Sequence, residues 1–69
     1  MIVDIEGLKE FINDIGIKQN VIAGKSGITD PQLTLILQGK RKLEAGEYAS
    51  ICKVLNVPMT KFVKDKPGR

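Results

Sequence analysis

Few side chains in this 69-residue chain could do covalent or proton-transfer chemistry. Ser26, Ser50 and Cys52 are nucleophile types, but there is no histidine, and no other base stands at a spacing that would activate them. One cysteine without histidine excludes a Cys-rich zinc site and an intramolecular disulfide. Gly24-Lys25-Ser26-Gly27 has the composition of a phosphate loop, yet it lacks the earlier glycine and the preceding strand that such a loop needs. Enzymatic activity, a metal and a cofactor are therefore not expected. A second set of residues has the chemistry of nucleic-acid contact. Amides and hydroxyls of Gln19, Asn20, Thr29, Gln32, Thr34 and Gln38 can bond base edges or phosphate oxygens. Lys40, Arg41 and Lys42 follow as a run of cations, and Asp30 and Leu35 stand among them.

These residues need a scaffold, and the stretch from Ile17 to Lys42 carries its local signals. Residues 19–25 can form two helical turns with Ile22 and Ala23 inward. Gly27 stands where a helix end takes a positive φ, which glycine adopts without steric cost. Thr29 is an N-cap candidate, and Gln32 three residues on has the spacing of a capping box. Ile28 and Leu33 hold the two positions of a hydrophobic staple. Pro31 falls in the first turn, where its missing N–H costs little. Asp30 suits the positive end of the helix dipole. The spacing predicts a helix from Asp30 to about Leu37, closed by Gly39. With Leu33, Ile36 and Leu37 inward, its opposite face shows Asp30, Pro31, Gln32, Thr34, Leu35 and Gln38.

This stretch resembles the helix-turn-helix of the phage-repressor and Cro-like (XRE-type, lambda repressor-like) DNA-binding family. The likeness rests on Gln19 opening the first helix, Ile22-Ala23 in its core, Gly27 in the turn, Thr29 as cap, Leu33 and Ile36 as the buried face, and Gly39-Lys40-Arg41 at the close. It extends through Ile51 to Leu55 and Val57. It implies an all-α fold, a compact five-helix domain with a central helix-turn-helix. It also implies sequence-specific contact with double-stranded DNA through the helix at about 30–37, usually as a homodimer on DNA. Gln19 would anchor to phosphate, with Asn20 beside it, where free N–H groups favour an anion.

Within that picture Gln32 is the best base reader. Its amide can bond adenine N7 and N6 together, worth ~1–3 kcal/mol of discrimination. Thr34 can reach a base or a phosphate, Leu35 a thymine methyl, and Gln38 the backbone. Lys40, Arg41 and Lys42 would each steepen the log–log salt dependence by about one unit per phosphate neutralised. The chain departs from the family pattern at Lys18, where a Ser or Thr cap is usual. It departs again at Asp30 and Pro31, where many relatives carry base-reading groups, and at the apolar Leu35 and Leu37.

Charge distribution says more than the net +3. Up to Gly16, Asp4, Glu6, Glu10 and Asp14 outweigh Lys9. From Ile17 to Lys42, Lys18, Lys25, Lys40, Arg41 and Lys42 stand against Asp30 alone, so the basic excess falls where phosphate would be met. No apolar run approaches the ~20 residues of a membrane span and there is no signal-peptide pattern, so a cytoplasmic protein is expected.

The remaining elements read as scaffold for one domain over 1–63, with 64–69 as a flexible charged tail. Asp4 can cap a helix to about Asp14, with Leu8, Phe11, Ile12 and Ile15 as its apolar stripe. Tyr48, Ile51, Cys52 and Leu55 give the same pattern over Ala45 to Leu55, and Asn56 can end that helix in the left-handed region. Pro58 can start a short fifth helix to about Val63. Only Ile2-Val3 could be extended.

Several residues carry two readings. Gln32 is a base reader or only the capping partner of Thr29. Lys40-Arg41-Lys42 meets phosphate or is a solvated loop. Leu35 faces DNA or a protein. Met59 and Val63 cover the core or join a dimer contact. Cys52 reads as a small core hydrophobe, and Tyr48 as core with its hydroxyl at the surface. The leading expectation is a DNA-binding transcriptional regulator, of the kind carried by phages or mobile elements, that acts by operator occupancy. The alternative is a protein-interaction module on the same fold, such as an antitoxin that docks on a protein partner.

Overall fold

Asp4 opens the first helix as the sequence suggests, its carboxylate accepting from the Gly7 N–H at 3.1 Å. The computed structural model describes residues 2–64. Over these, α1 runs Ile5–Ile15, α2 Gln19–Ser26, α3 Asp30–Leu37 and α4 Ala45–Leu55. A 3-10 helix at Met59–Phe62 follows, and two short strands, β1 at Ile2–Val3 and β2 at Val63–Lys64, pair antiparallel with Ile2 opposite Lys64 and Val3 opposite Val63. Most of the chain is helical. None of the described helices is long and apolar enough to cross a membrane.

Three helices end the same way. Past α2, the Ile28 N–H reaches back to the Ala23 carbonyl at 3.1 Å. Past α3, the Lys40 N–H reaches Leu35 at 2.9 Å, and past α4 the Val57 N–H reaches Cys52 at 3.0 Å. In each case the residue before the donor is left-handed: Gly27, Gly39 and Asn56. This six-to-one closure satisfies carbonyls that the helix leaves open and turns the chain sharply. The apolar residues that follow two of these turns, Ile28 and Val57, fold back onto the core.

The core joins Leu8 and Ile12 of α1, Ile22 and Ala23 of α2, Leu33 and Leu37 of α3, four residues of α4, and Phe62. Cys52 is buried in it as a free thiol. Ile36 is also fully buried, and it borders a small groove of about 290 Å3 beside Ile2, Val3, Ile5 and Leu43.

Four expectations need correction. The fifth helix is a single 3-10 turn, because Val63 leaves the helical region to pair with Val3. Lys64 belongs to β2 and not to the expected tail, and residues 65–69 lie outside the described residues. Ile15 is not core: at the last position of α1 it overshoots the layer that Leu8 and Ile12 enter, and it is 39% exposed. Met59 and Val63, which carry two readings, are 40% and 36% exposed. Tyr48 does not bring its hydroxyl to the surface, since the whole residue is at 0% exposure. Its hydroxyl donates to the Met59 carbonyl at 2.5 Å and accepts from the Phe62 N–H at 3.3 Å.

Candidate nucleic-acid interface

The start of α3 is the most tightly specified point in the chain. The Thr29 hydroxyl accepts from the Gln32 N–H at 3.2 Å, and the Gln32 side-chain oxygen accepts from the Thr29 N–H at 3.0 Å. Both halves of the capping box are thus formed, with Pro31 in the first turn. A cap of this kind is typically worth about 1 kcal/mol. It commits Gln32 Oε1 to the backbone, while the amide nitrogen of Gln32 has no bond of its own among the described residues.

A second set of bonds fixes α3 against α2. Gln19, the first residue of α2, donates from Nε2 to Asp30 Oδ1 at 2.9 Å and to Thr34 Oγ1 at 2.5 Å. Both amide hydrogens are therefore taken. Gln19 is thus a strut between the two helices. The same strut gives the acidic Asp30 a use, as acceptor for Gln19 at the positive end of α3. Thr34 is half-buried against α2, so its hydroxyl is an internal acceptor first. Asn20 is exposed beside the strut.

With Leu33, Ile36 and Leu37 buried, the ridge of α3 that faces outward is Pro31, Leu35 and Gln38, spaced i, i+4, i+7. Leu35 is 41% exposed at its centre. The hydrogen-bonding groups singled out from sequence, Gln32 and Thr34, sit on its two flanks and are both half-buried. Of the polar residues on α3's outer side, Gln38 alone stands on the ridge itself.

The exit from α3 separates three cations that the sequence groups together. Lys40 and Lys42 are exposed. Arg41 turns inward and forms a two-pronged pair with Glu47 of α4, Nη1 to Oε1 and Nη2 to Oε2, each at 3.0 Å. Glu47 also accepts from the Glu44 N–H at 3.1 Å, closing the start of α4. Arg41 is thus a clasp for the α3–α4 loop, where Lys40 and Lys42 make no such pair among the described residues. Sequence spacing gives no hint of either this pair or the Gln19 strut. Both join residues that come together only after the helices pack.

The clasp makes a pH prediction. The Arg41 hydrogen bonds hold the Glu47 carboxyl below its ordinary value, helped by the Glu44 N–H and opposed by partial burial. A carboxylate whose folded value is depressed contributes stability above its unfolded value, about 4.3, and loses it as the pH falls through the folded value. Thermal melts from pH 6 down to pH 3 should therefore show a steeper loss for the wild type than for Glu47→Gln. Parallel acid limbs would mean that the clasp adds nothing to stability.

Ser50 Oγ donates to the Gly46 carbonyl at 3.1 Å, Cys52 is buried, and Ser26 Oγ is buried without a partner among the described residues. No group of three or more metal-ligating residues occurs among them. Compared with known proteins, the chain matches no family model, no curated protein and no solved structure.

Proposed function

We propose that this chain is a small, non-catalytic DNA-binding transcriptional regulator with a lambda repressor-like helix-turn-helix fold, acting in the cytoplasm by occupying an operator. In this reading α2 and α3 are the two helices of the motif, and the 3-10 turn stands in for the fifth helix. The observation that carries it is the presentation of α3. The helix is held at its start by the Thr29–Gln32 box and the Gln19 strut, its ridge is turned outward, and exposed Lys40 and Lys42 stand at its end.

A rigid helix flanked by cations fits the major groove. Gln38 on the ridge and the free amide of Gln32 on its flank are the hydrogen-bonding readers, and Leu35 packs on a thymine methyl. The test is selection from a random duplex library with sequencing of the bound sites. The expected result is an enriched palindrome with half-sites about 10 bp apart, as a homodimer on DNA requires. Absence of any enriched sequence would overturn specific reading.

One observation favours a second reading. The centre of the α3 ridge is apolar, Pro31 and Leu35, and Val21 on α2 is exposed as well. A protein partner, as for an antitoxin, would dock on Leu35. In that case Leu35→Glu abolishes a protein complex and DNA selection enriches nothing.

A further inference from the structure

Among the described residues β1 has one strand neighbour, β2, and so keeps one open edge. The pairing decides which backbone groups lie on that edge. The Asp4 N–H donates to the Phe62 carbonyl. In an antiparallel ladder this makes Val3 and Val63 the pair that exchanges no hydrogen bonds. The N–H and C=O of Val3 therefore point away from β2. Neither makes a turn, cap or loop hydrogen bond among the described residues. A donor and an acceptor presented together on an open edge are a template for another strand.

The surface along that edge has matching chemistry. The groove of about 290 Å3 has Ile2, Val3 and Ile5 on one wall and the α3–α4 loop, with Leu43, on the other. No residue of β2 lines it, so it runs along β1 on the side away from β2. Ile2 is 43% exposed there. The loop wall brings Arg41 and Lys42, and no described residue that lines the groove is acidic. Arg41 is held by Glu47. Lys42 is exposed and forms no ion pair among the described residues, so it is the charge left to answer. The groove thus suits an extended segment that joins aliphatic side chains to a carboxylate. The run Ile2-Val3-Asp4-Ile5-Glu6 of this same chain has that composition. Asp4 is engaged by the Gly7 N–H and by Lys64, which leaves the exposed Glu6 as the free acid. A surface that offers on one wall what the other wall takes is self-complementary, as a twofold contact requires.

We propose that the open edge of β1 pairs antiparallel with β1 of a second copy of this chain, about a twofold axis at Val3. Val3 of each copy donates its N–H to the Val3 carbonyl of the other, and the two ribbons become one four-stranded sheet. Ile2 and Leu43 are covered, and Glu6 of each copy faces Lys42 of the other. A lysine ammonium has three donors, so Lys42 can serve a carboxylate and a phosphate together. The contact is small, so association is weak and depends on concentration. It goes beyond the DNA-binding reading, because it needs no DNA, and it gives the homodimer of that reading a contact surface.

The test is sedimentation equilibrium of the full chain without DNA, joined to amide exchange of Val3 by NMR. The wild type should show a monomer–dimer equilibrium, and the Val3 amide should gain protection as the dimer fills. Val3→Pro removes an N–H that the monomer does not use, at an edge where proline is tolerated. It should raise the dimer Kd at least about tenfold, with helix content by circular dichroism unchanged. Lys42→Glu should also weaken the dimer, and adding Glu6→Lys to that chain should restore it. A wild type that stays monomeric at about 1 mM protein overturns the proposal. So does a dimer whose Val3 amide exchanges as in the monomer, a result read on the wild type alone. A double variant no tighter than Lys42→Glu overturns the twofold arrangement. Each outcome is read without DNA, so failure here leaves the DNA-binding reading to its own selection experiment.

Discussion

Replacing Tyr48 by phenylalanine is expected to cost about 2 kcal/mol, because one hydroxyl serves two backbone groups. It donates to the Met59 carbonyl and accepts from the Phe62 N–H, in a residue with no exposed surface. Removing the oxygen takes a buried bond from both the Met59 carbonyl and the Phe62 N–H, and a buried polar group that loses its partner carries a penalty of about 1–3 kcal/mol. In a domain of this size 1 kcal/mol moves the melting temperature by about 4–8 °C, so the midpoint should fall by about 8–16 °C. The damage should concentrate on the 3-10 turn. Phe62 packs edge-on against Phe11 at 5.5 Å between ring centroids, and Lys61 sits over both rings at 5.1 and 5.7 Å.

The same residue sets an alkaline limit. Burial pushes the Tyr48 phenol up from its ordinary value. A group that is harder to ionise when folded contributes stability in full below its unfolded value, about 10, and loses it as pH rises through the raised folded value. Wild-type melts should thus weaken above about pH 10, and Tyr48→Phe should lack that slope. A variant that melts within about 2 °C of the wild type at neutral pH would show that the hydroxyl holds nothing that solvent cannot replace.

The second large effect is on DNA. Lys40→Ala/Lys42→Ala should weaken binding to every duplex alike and lower the log–log salt slope by about 1.8, as two lost phosphate contacts require. Over a fourfold change of salt the wild type should then lose about twelvefold more affinity than the variant. Arg41→Ala is the internal contrast. Its guanidinium is already bound by Glu47, so the slope should barely move, while thermal stability and the setting of the loop change. If Arg41→Ala lowered the slope as much as a lysine substitution, the clasp would open on DNA and Arg41 would count as a phosphate contact after all. Titration by fluorescence anisotropy over 0.05–0.2 M salt, on the order of the range in which such contacts are resolved, reads both outcomes.

What was legible in the sequence was local. Thr29, Asp30, Pro31 and Gln32 encode the start of α3 within four residues, and the structure forms every bond they suggest. Gly27, Gly39 and Asn56 mark helix ends because a positive φ is a property of one residue and its neighbours. The apolar stripe of α4 falls where its spacing puts it, with Tyr48, Ile51, Cys52 and Leu55 all buried. What was not legible depends on packing. Val63 and Lys64 have no pattern of their own and are extended because Val3 and Ile2 lie beside them. Arg41 looks like its lysine neighbours until α4 brings Glu47 to it. Gln19 gives no sign of its bonds to Asp30 and Thr34 until α3 packs beside it. The residues that the sequence groups as one site therefore divide, in the structure, between those that hold the helix and those that face outward.

The β1–β2 ribbon has a consequence for how the chain reaches this fold. It joins residues at opposite ends of the described chain for only two residue pairs. Closing a loop of that length, about 60 residues, costs roughly 3–4 kcal/mol of chain entropy. Two pairs of a short ribbon cannot offset that by themselves. The ribbon can close only when α1 and the 3-10 turn have already docked and brought its halves together. Its amide protons then report the completed domain: they exchange slowly while the helices are assembled, and they are released as a pair whenever the Phe11–Phe62 contact lets go.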